Sequence, residues 1–394
     1  MESVVNRLLT YLIGLINQYV PKSSSVLLVG TPPEEANIVE IGRQASRWRG
    51  GRVYWVDAPD DDYLAALGIR GQDIVRILSR HRGRVLWRFL RARIVFFTHG
   101  VLGQPAPAPT QLVVNLWHGE GPKGGGKLFP TRRLKSQPAS MMVGQCSAMS
   151  DYMADLGDID PGRMRWLGYP RSDQLRRGVA AERLEALGIE RPYVVWMPTY
   201  RRAGTPEGGV AWSNTTDVAS DEGLGSGLVD AVGLLQDQGL AVIVKPHPLD
   251  IVNREVPGAI TIDDGTLRRA GIGLYELLGS AAGLISDYSA VWVDFLVTDR
   301  PIAFHVADEP AFRSGRGALP PAFDMPLPGP DLSAAGALED FIRDLSGTAT
   351  AWPAERARVR AALGLHEEPG SAERVWRTVL SELRRCGGRC PAAM

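Results

Sequence analysis

The sequence predicts an α/β protein with two parallel sheets, each built from its own succession of strands and helices. Three observations carry this. Short apolar runs alternate with stretches of helical periodicity, once before and once after a link near residues 178–192. The runs are unbroken rather than alternating, as in strands covered on both faces. Glycine, histidine and basic residues stand directly after several runs, where parallel sheets hold ligands. Two such sets imply two sheets facing each other across a cleft.

The 394 residues allow two or three domains. Hydrophobic residues at 44% suffice for full cores, and 22% charged residues is an ordinary globular share. A formal net charge of +0 excludes a whole-molecule field favouring nucleic acid or an anionic surface. Three cysteines, Cys146, Cys386 and Cys390, make no disulfide framework. The last two lie in an RRCGGRC segment without histidine neighbours, so they read as thiols rather than zinc ligands. A reducing cytoplasm fits this usage. No apolar run reaches bilayer-spanning length.

Along the chain, Val4, Val5, Leu8, Leu9, Leu12, Ile13, Ile16, Tyr19 and Val20 form an apolar stripe at helical spacing. It reads either as a helix packed on the first domain or as a helix lying in a membrane surface. Lacking a basic start and a small-residue cleavage site, it does not read as a signal peptide. Strands are expected at 25–30, 93–98 and 111–116, with shorter ones at 140–144 and 164–167. Leu64, Leu67, Ile74, Ile77 and Leu78 give residues 60–80 a helical pattern. The second set has strands at 193–197, 241–244, 259–262, 282–285 and 302–306, with a helix at 228–238. Residues 202–225, rich in Gly, Ser, Thr and Asp, read as a long binding loop. Residues 317–336 are irregular, and 338–383 return to helical spacing. The resulting division is an N-terminal helix at 1–22, Rossmann-like domains at 23–185 and 190–365, and a closing helix and tail at 366–394.

Four strand ends carry chemistry. After 111–116 comes Trp117-His118-Gly119-Glu120-Gly121-Pro122-Lys123, with Lys127 beyond. A neutral imidazole there is a competent general base, glycines permit close backbone approach, and lysines meet anions. The plainer reading is a structural histidine in a flexible turn. After 193–197 comes Pro198-Thr199-Tyr200-Arg201-Arg202, whose Arg201 can fork onto phosphate. After 241–244 comes Lys245-Pro246-His247-Pro248, a cation and an imidazole held between prolines. After 282–285 comes Ser286-Asp287-Tyr288-Ser289, leading into a helix whose N-terminus and hydroxyls suit a pyrophosphate. Arg171 and Asp173 read equally as an ion pair or as binding groups. Arg300-Pro301 closes a helix, His305 reads as a wall histidine, and His99 follows a strand without further support. Arg132, Arg133 and Lys135 form a basic patch, a solvated face or a contact for anionic lipid or a phosphate-bearing acceptor.

The ordered set WHG at 117–119, GYPR at 168–171, PTYR at 198–201, KPHP at 245–248, SDYSAVWVDF at 286–295 and DRPIAF at 299–304 resembles the CDP-glycerol:glycerophosphotransferase family of teichoic acid synthesis. A late GSAERV at 370–375 resembles that family's closing helix. The resemblance covers residues 111–379. It implies a GT-B architecture, with 23–185 as acceptor domain and 190–365 as CDP-donor domain. It implies transfer of glycerol phosphate, or a related polyol phosphate, from a CDP-activated donor to a hydroxyl, releasing CMP. His118 would deprotonate the acceptor. Arg201, Lys245, His247, Ser286, Tyr288 and Ser289 would hold the donor phosphates, Asp287 would orient their loop, and Asp294 would brace it. Gly119, Glu120, Lys123, Lys127 and Arg171 would lie on the acceptor side. The acceptor would be lipid-linked or polymeric, and the enzyme cytoplasmic or peripheral on the inner membrane face. It would have no tightly bound cofactor and no nucleic-acid partner, with metal need and homo-oligomer formation open. Glu120 and Gly121 interrupt the family's usual sequence after WHG and put the acceptor in question. Two other readings stay open: a GT-B sugar transferase or epimerase using a UDP-sugar, and a non-catalytic partner in a polymer-synthesis complex.

Overall fold

A computed structural model of the chain describes residues 2–103, 105–122, 138–190, 192–199, 202–204, 210–213, 222–246, 256–306, 309 and 319–385. The chain divides into two compact units: Met1–His118, Leu134–Gln174 and Leu365–Met394 form the first, and Gly119–Arg133 with Leu175–Gly364 the second.

The first unit is a seven-stranded parallel sheet of β1 (Ser23–Val29), β2 (Arg52–Val56), β3 (Ile74–Ile77), β4 (Ala92–Phe97), β5 (Leu112–Asn115), β6 (Met141–Gly144) and β7 (Met164–Trp166). Their order is β3-β2-β1-β4-β5-β6-β7. The central strands are buried runs because helices cover both faces. Leu27, Val95, Phe97 and Val113 join Phe89 and Leu90 of the helix Arg82–Arg91 in one cluster. Residues 60–80 depart from the helical expectation. They form a short helix, Asp61–Ala66, and then β3, which pairs Ile74–Ile77 with Val53–Val56. Only Ile74 and Ile77 of β3 are buried, so an edge strand with inward residues at its two ends mimics helical spacing.

The last helix, Ser371–Arg385, belongs to the first unit and packs on the helix Ala36–Arg47. Trp376 stacks on Phe96 at 5.9 Å and meets Trp48 edge-on. The start of this helix is held by Asp173, whose carboxylate accepts the N–H groups of Gly370, Ser371 and Ala372, each at 3.0 Å. Asp173 is thus a cap and not the ion-pair partner of Arg171.

The N-terminal helix, Glu2–Tyr19, docks through a polar seam. Asn17 is fully buried and donates to Gln111 Oε1 and the Ala106 carbonyl, while Lys22 donates to Asn17 Oδ1. Leu8, Leu12, Leu15, Ile16 and Tyr19 face outward, Tyr19 being 87% exposed. Much of the apolar stripe among the described side chains is therefore not the docking face, while its Ile13 and Val20 pack on the core cluster. No described helix is long and apolar enough to cross a membrane.

The second unit has a five-stranded parallel sheet, β8 (Tyr193–Trp196), β11 (Ala241–Val244), β12 (Ile260–Thr261), β13 (Gly283–Ser286) and β14 (Ile302–Phe304), in the order β12-β11-β8-β13-β14. Val194, Trp196, Val242, Val244 and Ile285 pack with Leu235 and Phe341 in its core. Within the span expected to be loop, β9 (Arg202–Gly204) and β10 (Val210–Ser213) pair antiparallel. Strand order reverses between β1 and β4 in the first sheet and between β8 and β13 in the second. Ligands in open α/β sheets bind beyond the strand ends at such reversals.

Replacing Asp173 by Ala is expected to lower unfolding free energy by about 1–2 kcal/mol, the usual loss of a helix cap. Asp173→Asn should retain most of it, and urea unfolding monitored by circular dichroism decides.

Candidate functional site

In the first unit, the turn after β5 is fixed through its backbone. Asn115 Oδ1 accepts the Trp117 N–H at 2.8 Å. Trp117 takes a left-handed conformation, φ 55°, and Gly119 follows at φ 143°. A bulky residue there costs on the order of 1–3 kcal/mol and persists only where its surroundings enforce it. The enforcing groups are visible. Asn37 Nδ2 donates to the Trp117 carbonyl at 3.3 Å, and Arg171 Nη1 donates to the His118 carbonyl at 2.9 Å. Asn37 Oδ1 in turn accepts the Arg171 N–H. Both carbonyls are thus held, and His118 itself is exposed.

Arg171 is only 2% exposed; it stacks over Tyr169 and lies 3.7 Å from Glu35. Arg171, which the resemblance sets on the acceptor side, is a buried post beneath the His118 backbone. His99, at the end of β4, lies flat on His118 with ring centroids 4.1 Å apart and planes 18° from parallel. Its Nδ1 is 3.2 Å from Thr98 Oγ1. Burial, and secondarily the Arg171 charge, push the His99 imidazole below its ordinary pKa of 6.5, so it is neutral at pH 7.

In the second unit, the turns after β8 and β13 are joined by one carboxylate. Asp287 Oδ2 accepts the Thr199 N–H at 2.8 Å, and Oδ1 accepts the Thr199 hydroxyl at 2.6 Å. Both residues are buried. The fork spans the reversal of strand order and fixes the turn containing Ser286, Tyr288 and Ser289. Tyr288 donates its hydroxyl to the Val306 carbonyl, and Ser289 Oγ accepts the Val291 N–H. Ser286 Oγ is wholly buried and finds no hydrogen-bond partner among the described residues. Asp294 sits in the core, accepting the Tyr275 hydroxyl at 2.7 Å, which suits bracing rather than ligand contact.

The following helix, Val291–Phe295, has five residues and passes into a 3-10 turn. So short a helix sums few peptide dipoles, so the expected helix N-terminus supplies little charge. Lys245 is 3% exposed and paired with Asp264 at 3.0 Å, so part of its charge is already answered. Gly121 lies against Ala290, where an added Cβ would come within 2.6 Å of the Ala290 Cα. The glycine following Glu120 is thus dictated by packing beside the Ser289 turn. Glu120 itself is buried. Arg201, His247, Lys123 and Lys127 lie outside the described residues, as do Arg132, Arg133 and Lys135.

Sequence reasoning missed Asn37, Asn115 and Glu35, and gave Thr199 no role. An Asn closing a buried strand was the one signal for Asn115. Nothing local marks Asn37, whose partners lie 80 and 134 residues away.

The model of the CDP-Glycerol:Poly(glycerophosphate) glycerophosphotransferase family matches residues 45–381. No curated protein sequence matches the chain. Among solved structures, the wall teichoic acid polymerase TagF superposes with a TM-score of 0.68 at 14% identity, over 95% of this chain and 93% of that one. A variant of TagF soaked with CDPG gives 0.67 at 13% identity, over 97% and 96%. A putative UDP-N-acetylglucosamine 2-epimerase from Listeria monocytogenes gives 0.53 at 11% identity, over 95% and 99%. With the two parallel sheets, these likenesses make the fold class GT-B. The family match spans most of the sequence, and the chain belongs to the CDP-glycerol:poly(glycerophosphate) glycerophosphotransferase family.

Proposed function

We propose that this transferase moves glycerol phosphate from CDP-glycerol to a hydroxyl of a lipid-linked or polymeric acceptor, releasing CMP, in synthesis of a teichoic acid-like polymer. The observation that carries the reading is the exposed imidazole of His118 on a backbone turn held by Asn37 and Arg171. His118 takes the proton of the attacking hydroxyl. That oxygen forms a bond to the glycerol-bearing phosphorus of the donor as the bond to the CMP oxygen breaks. CMP departs with the bridging oxygen and its electron pair. Such chemistry depends on positioning and charge stabilisation.

The Ser286–Ser289 turn is the phosphate grip, its shape set by Asp287. Ser286 Oγ, buried without a partner, supports a hydroxyl held for a donor oxygen. Arg201 and His247 are assigned to the donor phosphates by their motifs, and Lys123 and Lys127 to the acceptor. His99 is a positioning residue: a neutral ring stacked on His118 adds no charge that would oppose protonation of the base. We place the enzyme on the inner membrane face, with the outward apolar side of the helix Glu2–Tyr19 against lipid.

His118→Ala is expected to reduce CMP release from CDP-glycerol by about a hundredfold to ten-thousandfold with the fold intact. Turnover at the parent rate would remove His118 as the base. Thr199→Val leaves Asp287 a buried carboxylate short of one donor. It should cost about 1–3 kcal/mol of stability by urea unfolding and weaken donor binding.

The depressed His99 pKa has a signed consequence. Below about pH 6.5 the unfolded chain binds a proton at His99 that the folded chain refuses, so its contribution destabilises progressively as pH falls toward the folded pKa. Above 6.5 the contribution is constant. Urea unfolding at about pH 7.5 and about pH 5.5 should show a smaller acid loss for His99→Gln than for the parent.

A further inference from the structure

A cavity of about 380 Å³ opens at the amino-terminal ends of β1 and β2, the edge of the first sheet opposite to His99 and His118. Its lining includes Ser23, Arg52, Tyr54, Trp87, Arg88 and Arg91, and contains no carboxylate. The three guanidinium groups differ in how they are held. Arg88 lies over the Tyr54 ring, 4.2 Å from its centroid. Arg91 spends one donor on the Pro21 carbonyl and sits 5.8 Å from the Trp87 ring centroid. Arg52 is exposed at the rim. Neither Arg52 nor Arg88 has an ion-pair or hydrogen-bond partner for its side chain among the described residues. Positive charge thus gathers on one cavity with no acid to balance it.

The field is felt nearby. The Lys22 ammonium is pushed down to about 8, first by burial and then by Arg91. Three like charges around a cavity repel one another unless an anion joins them, and forked guanidinium donors match phosphate oxygens. The rim adds Trp87, 53% exposed, an amphipathic ring of the kind that settles at a lipid headgroup boundary. From Ser23 the chain runs back through Lys22 and Pro21 into the helix whose apolar side faces outward.

We propose that this cavity is a second binding site, separate from the transfer site, for a phosphate ester: the glycerol-phosphate headgroup of an anionic phospholipid, or a soluble ester of the same chemistry. Arg88 and Arg52 grip the phosphate, Arg91 supplies further charge, and Trp87 lies at the lip. The assignment rests on the cavity's own charge and stands whether or not the transfer reading holds.

The test uses the full chain, the double variant Arg52→Gln with Arg88→Gln, and a control, Arg82→Gln with Arg84→Gln. The control removes the same charge from the same helix region outside the cavity lining. Calorimetry with sn-glycerol 3-phosphate probes the soluble arm. Cosedimentation with phosphatidylglycerol–phosphatidylcholine vesicles, against phosphatidylcholine alone, probes the lipid arm. In vesicles the cavity variant should lose about fivefold in affinity for each charge removed, and the control markedly less. Selective loss in the lipid arm identifies a headgroup site, and selective loss in the soluble arm alone identifies a site for a free phosphate ester. Equal loss in variant and control, or no binding in either arm, overturns the proposal. CMP release measured without vesicles reports the transfer reading separately.

Discussion

The second unit turns on one carboxylate. Where strand order reverses, a further bond ties the turns after β8 and β13 together beyond the ladder of the sheet. Asp287 provides it by accepting both the N–H and the hydroxyl of Thr199. Bonds to an ionised acceptor are about twice as strong as neutral ones, and burial sharpens them further. Above this fork, the Met197 N–H continues the sheet by donating to the Ile285 carbonyl. Below it, the Tyr288 hydroxyl is anchored to the Val306 carbonyl. The turn that the sequence marks for phosphate is bonded on either side.

The first unit reaches the same end differently. There the visible bonds fall on the backbone around His118. Asn37 and Arg171 take the carbonyls of Trp117 and His118, and Asn37 also takes the Arg171 N–H. The left-handed Trp117 is tolerated because these bonds over-determine the turn. His118 itself is exposed, with the neutral His99 ring against it. A buried arginine with Glu35 and Tyr169 around it costs less than a buried lone charge. It also donates in directions a lysine could not match.

Much of this was legible in the sequence. Unbroken apolar runs marked the two parallel sheets, because strands covered on both faces need no polar alternation. The same rule, that ligands gather beyond strand ends, pointed to His118 and to Ser286–Ser289. The errors have physical causes. β3 read as helix because an edge strand buries only its outermost residues, Ile74 and Ile77, and that spacing is also helical. The helix after Ser289 leaves α geometry after Phe295, although Val291 to Val297 are all buried. The first helix was left between two readings by its sequence, and its packing joins features of both: Asn17 is buried against the first unit while Tyr19 faces outward. The Asn37 bonds were out of reach, since a contact across 134 residues leaves no local pattern.

The ordered motifs of this family divide into chemistry and architecture, and the division does not follow their order. Gly168 of the GYPR stretch is left-handed, at φ 75°, and a Cβ there would strike Ser371. Asp173, just beyond, caps the helix beginning at Ser371. Arg374, in the GSAERV stretch, donates back to the Leu167 carbonyl. Two motifs about 200 residues apart are therefore one clamp, and its product is the seat of Trp376 on Phe96 of β4. β4 ends at Phe97, two residues before His99, so the clamp reaches the neighbourhood of His118 through the strand. Residues of that kind are fixed by geometry as strictly as a base is by chemistry. The bonds around a motif show whether it positions a chemical group or holds a helix in place.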